Sequence, residues 1–496
     1  MCRARYALIM LIGLSAAQIL STIGVYGSNA TLYDKLVLIK SAGYLTVPNQ
    51  KIMDTLHDFG PAFFGGLFFT LTAGAGLTIL TLAAEWIWDR LFHRNKIILG
   101  LYFVFWLCGL MAMNCRGCCP MTISYFIIIP AGIFWAATKW LPYRIGEKSQ
   151  LKQMIPFVPA ALLAFFWISQ WSSDMFINFR DHFLLSNSFG TKISDNYYRY
   201  TLYPAEALKS LDQKILKTCA FQNIVQKSLE EDLKEELTRQ DYLPVWEDRK
   251  VDLKITGKGD LLLFQNDEKT VLQVPLKDFF SDSGSRLKEF SRKSDRHAYF
   301  RQFTFFSLLI ALPIMSYMIL YGLFRFLSSV FATGTAPSVI ASVLCLLIGI
   351  AVTVLFHPNQ SEEIRASDPI RSLTSGRWRD RVAALKIAAR EEIEVADFSA
   401  YRDLLKSPHV PERYWLARSL GHSRKPETFK NLLEMLDDSH PNVVCMAFYA
   451  LGRRGDRRAV TEIMNRMETS DHWYEQWYAY KAMRTLGWKQ KSNQKP

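Results

Sequence analysis

Long uncharged apolar stretches constrain this chain more than any other feature of its sequence. A helix that crosses a bilayer needs about 20 largely apolar residues, because its backbone polar groups must be satisfied within the segment once water is absent. Charged residues make up 21% of the 496-residue chain and are gathered into blocks between these stretches. The sequence therefore predicts an α-helical multi-pass membrane protein with about seven transmembrane helices, six or eight being the alternatives. The seven windows are 6–26, 61–84, 97–113, 120–138, 154–171, 302–324 and 336–356.

The short loops between the windows differ in charge, which predicts an orientation, since Lys and Arg are enriched in loops that face the cytoplasm. Loops on the side of the N-terminus are rich in these residues, for example Arg90 and Lys148, whereas the opposite loops contain few, such as Lys51 and Arg116. We therefore expect a protein of the cell (inner) membrane, with a cytoplasmic N-terminus and soluble domains on the outer, periplasmic side. The basic segment 285–301 departs from this rule. The first window reads as a retained anchor, although "SAA" at 15–17 also fits a cleaved signal peptide.

The second window carries small residues at every fourth position, namely Ala62, Gly66, Thr70, Gly74 and Thr78. Such a stripe either lets two helices approach closely or lines a pore. No Asp, Glu, Lys or Arg lies deep inside any window, whereas ion-coupled transport usually requires buried ionisable groups. The stripe therefore favours helix packing, and a channel or transporter is the third of three functional hypotheses.

The formal net charge of +13 could indicate binding to nucleic acid. In a protein with several membrane spans, basic loops and their attraction to anionic headgroups explain the same excess. The predicted partner of the basic loops is therefore the lipid bilayer, and no nucleic-acid partner is expected.

The segment 172–301 is predicted to be a small extramembrane α+β domain. The stretch from Pro204 to Leu237 reads as one or two helices, because proline is favoured in a first helical turn. The runs "KVDLKIT", "DLLLFQ" and "TVLQVPL" follow, separated by the turn sequences "GKG" and "NDEK". These alternating runs predict a three-stranded β-meander.

The last part of the chain repeats itself. The segments "RYWLARSLGHSRKPETFKNLLEMLDDS" and "VVCMAFYALGRRGDRRAVTEIMNRMETS" align throughout, and a third copy begins at "WYEQWYAYKAMRTLGW". A weaker first copy, "RVAALKIAAR" with "FSAYRDLLKS", lacks the shared glycine. Each unit reads helix, turn, helix, with Gly421, Gly452 and Gly487 expected to supply a left-handed stop. The sequence predicts an α-solenoid of stacked helix pairs.

These copies, with their "ALG" and "D-S-x-x-x-V" elements, resemble the HEAT-like repeats of the phycobilisome-lyase type. The resemblance covers residues 377–489, about a quarter of the chain. It implies a binding scaffold or a lyase, because members of that superfamily include both. The fold alone does not decide between these activities.

The stretch "NCRGCCP" at 114–120 places three cysteines within five positions. Cys115, Cys118 and Cys119 precede an apolar window, and a helix N-terminus and Arg116 would both lower the pKa of a thiol there. The stretch loosely resembles the exposed dithiol of quinone-linked disulfide-forming membrane enzymes, which relay electrons through a second cysteine pair. A disulfide that pins the loop is the favoured interpretation, and redox and metal sites are the alternatives. No second C-x-x-C or histidine pair offers a further metal ligand, so neither metal nor cofactor is predicted.

A cluster of arginines marks one turn of the repeats, in "LGRRGDRRAV". Four guanidinium groups on a solenoid edge could bind carboxylates, and tryptophans on the first helices could act as anchors. A solvated turn with core tryptophans is the alternative. The candidate partner-binding residues are Arg453, Arg454, Arg457, Arg458, Trp415, Trp473 and Trp477.

Together these features predict a membrane-anchored scaffold that docks a protein partner through its C-terminal solenoid, rather than an enzyme. A membrane thiol-disulfide oxidoreductase is the second hypothesis, and the oligomeric state stays open. The predicted domains are 1–171 with transmembrane helices 1–5, 172–301, 302–356 with helices 6–7, a linker at 357–376, and the solenoid at 377–496.

Overall fold

Most of the molecule is helical, and its helices form a bundle and a solenoid that flank a small sheet. A computed structural model describes residues 2–141, 157–172, 174–246, 250–356 and 372–492. The predicted linker at 357–376 lies largely outside these described residues. The helices before the sheet are α1 (Cys2–Ser41), α2 (Gln50–Met53), α3 (Phe59–Arg90), α4 (Lys96–Met113), α5 (Pro120–Trp140), α6 (Phe157–Ser169), α7 (Met175–Phe179), α8 (Ser188–Tyr200) and α9 (Leu202–Leu208).

The α+β domain contains a five-stranded sheet with the order β2-β1-β3-β4-β5. Strands β3 (Leu253–Lys258), β4 (Leu261–Asn266) and β5 (Lys269–Pro275) pair antiparallel, which confirms the predicted meander. The elements before and after the meander are β1 (Lys217–Gln222), α10 (Lys227–Arg239), β2 (Tyr242–Pro244), α11 (Leu276–Ser281) and α12 (Ser283–Ser294).

The prediction of helix from Pro204 through to Leu237 was wrong for β1. This strand pairs in parallel with both β2 and β3, and its first four residues are all buried. A strand buried on both faces shows no alternation of polar and apolar residues, so the period of two that reveals an exposed strand is absent.

After the domain come two apolar helices, α13 (Ala298–Ser328) and α14 (Ala336–Phe356). Six helices of the described chain, α1, α3, α4, α5, α13 and α14, are long and apolar enough to cross a membrane. The window at 154–171 gives only the 13-residue α6 in the part that the structure describes. Seven crossings therefore stay a prediction.

Helix α1 runs for 40 residues without a break, well past the predicted window. Its first half packs against α3 and α5. The predicted stripe of α3 faces it: a Cβ on Gly66 would lie 3.1 Å from Ser21 Oγ, and Gly74 lies against Ala17. The stripe is therefore a site of close helix packing.

The C-terminal solenoid begins with α15 (Trp378–Arg390). It continues with α16 (Tyr401–Leu404), α17 (Val410–Leu420), α18 (Pro426–Glu434), α19 (Pro441–Arg454), α20 (Ala459–Thr469) and α21 (Trp473–Thr485). Helices α15, α17, α19 and α21 pack side by side as the first helices of successive repeats.

The predicted left-handed stops at Gly421 and Gly452 were wrong. Gly421 has φ −62° and Gly452 lies inside α19, whereas Gly455 (φ +78°) and Gly487 (φ +82°) are left-handed. Gly452 is instead a site of close approach, where an added Cβ would lie 3.0 Å from Ala482 Cα in the next repeat. Gly421 lies in the same way against Ala450.

The solenoid is joined to the bundle through the loop after α1. The side-chain nitrogen of Asn49 lies 3.0 Å from each of three carbonyl oxygens at the C-terminal end of α20, and Gln476 Oε1 accepts a hydrogen bond from the Asn49 N–H at 2.8 Å. Gln490 exchanges two hydrogen bonds with the backbone of Leu45. Val47 lies inside the core of the solenoid. The repeats therefore pack on the loop that follows α1.

Candidate interaction site

A hydrogen-bond ladder sets the phase of the repeats. In three of the four repeats a serine before the first helix bonds a carboxylate five residues later: Ser375 with Asp380, Ser407 with Glu412, and Ser470 with Glu475. The next side chain along the helix bonds back to the serine carbonyl, as Arg413 does to Ser407 at 2.5 Å. Arg413 also pairs with Asp438, at 2.6 Å, in the third repeat.

The surface of the first helices is occupied by the chain itself. The segment 174–200, which contains α7 and α8, lies against α15, α17 and α21, and Trp415 Nε1 donates a 2.8 Å hydrogen bond to Asp181 Oδ2. The guanidinium carbon of Arg180 lies 3.9 Å from the ring centroid of Tyr414. The rings of Tyr198 and Tyr474 meet edge to face at 5.0 Å. The face on which Trp415 was expected to bind a partner is therefore an intramolecular contact.

Asp181 is the electrostatic centre of this contact and is fully buried. Its carboxylate lies 2.7 Å from an Arg180 nitrogen and 3.1 Å from Lys386 Nζ. Burial acts to raise its pKa, but Arg180 and Lys386 outweigh burial and lower the pKa of the carboxyl. Burial also raises the pKa of Tyr198 to about 12. The contact therefore holds a buried carboxylate with two cations.

The other two tryptophans also face inward. Trp473 is 4% exposed and belongs to the core that α1, α2 and α3 share, with its ring 5.0 Å from that of Tyr203. Trp477 is half-buried, and Lys481 Nζ lies 3.5 Å from its ring centroid. Trp473 therefore joins the solenoid to the bundle, whereas Trp477 packs against its own helix.

The four arginines of the turn divide into two kinds. Arg454 is buried and donates hydrogen bonds to the carbonyl oxygens of Ser423 and Lys425, both at 2.7 Å, so it stabilises the previous repeat. Arg453, Arg457 and Arg458 are exposed.

Each exposed arginine has a weak or local partner. Arg453 pairs with the exposed Glu392 at 2.8 Å, and Arg458 forms a bidentate pair with Asp456 while its side chain stays 77% exposed. Arg457 Nε donates to the carbonyl of Leu486. Surface pairs of this kind contribute little stability, so these guanidinium groups can exchange partners. We name Arg453, Arg457 and Arg458 the arginine edge.

The three clustered cysteines are free thiols, so the favoured disulfide is absent from the structure. Cys115 and Cys118 are exposed and Cys119 is buried. Arg116 lies with its guanidinium carbon 5.3 Å from the Tyr299 ring centroid, so the loop packs beside α13. Cys219 and Cys445 are buried elsewhere. Among the described residues no group of three or more His, Cys, Asp or Glu side chains could hold a metal ion.

Comparison with known proteins identifies one family. Residues 399–484 match HEAT repeats. The match covers most of the solenoid and confirms the resemblance read from the repeated segments. No curated protein and no solved structure matches the chain.

Proposed function

We propose that the protein is a membrane-anchored scaffold that docks a protein partner on the arginine edge of its HEAT repeats. The observation that carries the proposal is the join between the repeats and a bundle of apolar helices. HEAT repeats typically mediate protein–protein interaction, and here they are packed onto the loop after α1 through Asn49 and onto the segment 174–200 through Asp181.

Exposed apolar surface supports the membrane anchor. Helix α4 has 18 residues with mean hydropathy 2.0, and none of them is buried. Phe105 and Met111 are 78% and 73% exposed. Soluble monomers rarely expose apolar patches of this extent, whereas a lipid environment covers them without cost.

The path of the chain supports seven crossings. Helix α5 begins beside the N-terminal end of α13, where Arg116 contacts Tyr299, and ends at the opposite end of the bundle, where the Trp140 carbonyl accepts a hydrogen bond from Arg5. By Asp181 the chain is back against the repeats. Trp140 and Asp181 therefore lie at opposite ends of the bundle, as an odd number of crossings between them requires.

Two measurements test the anchor and the docking edge separately. Full-length protein should stay in the membrane pellet after extraction with alkaline carbonate, and release into the supernatant would contradict the anchor. For the edge, Arg453, Arg457 and Arg458 are replaced together by Glu, with Arg454 kept because its buried charge is structural. Partners are cross-linked in intact cells and identified by mass spectrometry.

A matched control separates a specific edge from a general effect of charge. Arg379, Arg402 and Lys406 are equally basic and exposed, but they lie in the first repeat and not in the turn of the third repeat that carries the arginine edge. Their replacement by Glu should leave the cross-linked set unchanged, while the edge variant should lose defined partners. Equal loss, or equal recovery, in the two triple variants would contradict the proposed edge.

A further inference from the structure

A cavity of 940 Å³ lies where the bundle, the α+β domain and the last repeat meet. Its apolar end is formed by Phe68 and Phe69 of α3 and Phe305 of α13. Its other walls come from residues 204–217, 239–241 and α21. The volume is at the upper end of the range of ligand pockets, so the cavity can hold a substantial part of a small molecule.

The walls away from the apolar end are strongly cationic. Seven Lys and Arg side chains line the cavity, but only two acidic side chains, Asp212 and Asp241, do so. Asp241 is already neutralised, because it pairs with Arg484 at 3.1 Å and accepts a 2.5 Å hydrogen bond from the Tyr480 hydroxyl. The cavity therefore keeps an excess of positive charge.

Two of the seven cations have no carboxylate partner within 4.0 Å among the described residues, whereas the other five do. Lys217 is buried beside the ring of Tyr242, and Lys481 stands over the ring of Trp477. Burial and the neighbouring cation Lys209 lower the pKa of Lys481. Asp241, Asp212 and Asp252 act on Lys217 only from beyond salt-bridge distance, so an anion in the cavity would supply a close counter-charge to both lysines.

A buried donor points to a ligand as well. Trp477 Nε1 lies out of contact with solvent and has no hydrogen-bond partner in the part of the chain that the structure describes. Buried N–H groups are nearly always paired, because leaving one unpaired is costly. Trp477 and Lys481 are one helical turn apart on α21 and line the same cavity. Movement of the exposed Lys481 side chain, which stands over the Trp477 ring, would let one oxygen acceptor reach both side chains.

We propose that this cavity binds an anionic amphiphile, with its phosphate-bearing headgroup among Lys217, Lys481 and Trp477 and its hydrocarbon chains along Phe68 and Phe305. Phosphate oxygens form strong charge-assisted hydrogen bonds with Lys and Arg. The phenylalanines lie on helices apolar enough to cross a membrane, so the chains of the ligand would continue into the bilayer. The inference rests on the membrane anchor proposed above.

The apolar end favours an amphiphile over a soluble anion or an acidic peptide. Phosphate or a run of glutamates would satisfy the cations but leave the exposed Phe305 and the half-buried Phe68 in water. Hydrocarbon chains would cover that end, because burying apolar surface is favourable. The ligand would then bridge α3, α13 and α21, and so link the bundle to the last repeat.

The test uses the full chain in a neutral detergent, and equilibrium binding is measured for four probes. These are dioctanoyl-phosphatidylglycerol, dioctanoyl-phosphatidylcholine, inorganic phosphate and octaglutamate. We expect saturable binding of the phosphatidylglycerol, at least tenfold weaker binding of the phosphatidylcholine, and no binding of phosphate or octaglutamate at the same concentrations. Equal affinity for the two lipids, or binding of either soluble anion as tight as that of phosphatidylglycerol, would overturn the proposal.

Variants locate the site. Lys481→Gln should weaken phosphatidylglycerol binding at least fivefold, and Lys430→Gln, an exposed lysine on α18, should leave it unchanged. Trp477→Phe keeps an aromatic ring and removes the N–H, so it should weaken binding by several fold even if Lys481→Gln proves unstable. Unchanged affinity in both Lys481→Gln and Trp477→Phe would refute the site, while carbonate extraction reports on the anchor independently.

Discussion

Replacing Asp181 by Asn tests whether the repeats are held to the segment 174–200 by a buried charge. The substitution keeps the shape of the side chain and an oxygen that can accept the Trp415 hydrogen bond. It removes the negative charge from a fully buried position between Arg180 and Lys386. Two cations in this contact are then left without their shared counter-ion.

The expected loss of free energy follows from the burial of the ion pairs that Asp181 forms with Arg180 and Lys386. Removing one partner of a buried ion pair costs about 3–5 kcal/mol, because the remaining charge is uncompensated. Each 1.4 kcal/mol is a factor of about ten in an equilibrium constant. The population in which the segment has left the repeats should therefore rise by roughly two to three and a half orders of magnitude.

Cys445 provides the assay. It is 7% exposed on α19, its thiol lies near Tyr198 of the segment, and burial raises its pKa. We therefore expect alkylation of Cys445 to become faster when the segment moves away, so that its rate reports the open population. The rate is followed by mass spectrometry of the peptide that carries it, at fixed pH and in a neutral detergent.

The expected outcome is a rate at least a hundredfold higher in Asp181→Asn than in the unmodified protein. Asp456→Asn is the matched control, because it removes a carboxylate from an exposed pair with Arg458 and should change the rate less than about threefold. A rate in Asp181→Asn within threefold of the unmodified protein would show that the buried charge does not hold the segment in place.

Three further predictions concern other contacts. Asn49→Ala removes the hydrogen bonds to the end of α20 and should lower the stability of this contact by about 1–2 kcal/mol. Hydrogen exchange in α20 should then be at least fivefold faster, and unchanged exchange would contradict the contact. Burial, with Arg199 nearby, lowers the pKa of His472 from 6.5 to about 4. The contribution of the neutral His472 to the free energy of unfolding is therefore complete above pH 6.5 and is lost as the pH falls towards 4. The acid-induced fall in melting temperature should be shallower in His472→Asn, and an identical pH profile would refute this. Gly452→Ala adds a methyl group 3.0 Å from Ala482 Cα and should cost about 1–3 kcal/mol by thermal unfolding, whereas Gly376→Ala meets no atom within 4 Å and should be neutral.

The sequence predicted the elements whose signal is local. The turns "GKG" and "NDEK" located the meander, and the repeated segments located the HEAT-like helices, because both patterns depend on neighbouring residues. Strand β1 was missed since its partners lie 25 and 34 residues away in the chain. The length of α1 was underestimated because hydropathy falls after residue 26, where polar residues such as Asp34 and Lys35 continue the helix.

The inward orientation of the candidate residues could not be predicted. A tryptophan on a first helix has the same sequence whether it anchors a partner or packs on its own chain, and only tertiary contact places Trp415 against Asp181. The burial of Arg454 beside the exposed Arg453 could not be predicted either, because adjacent residues of a helix point about 100° apart and the cluster was treated as one surface. One usable signal was overlooked: serine followed five residues later by a carboxylate recurs at Ser375, Ser407 and Ser470, and it marks the first repeat that lacks the glycine.

The length of the unbroken α1 determines how far the repeats lie from the helices that pack on its N-terminal half, and in which direction the repeats face. At 1.5 Å per residue its 40 residues extend about 60 Å, roughly twice the thickness of a hydrocarbon core. Its N-terminal half lies against Thr78 of α3, and its C-terminal half carries Lys35, which pairs with Asp252 of the sheet domain at 2.5 Å. One extra residue between these contacts would rotate the C-terminal part of α1, and the domains packed on it, by about 100°. Seven extra residues would restore the angle to within about 20° and would move these parts about 10 Å further along the helix axis. The number of residues in α1 therefore determines the direction that the arginine edge faces.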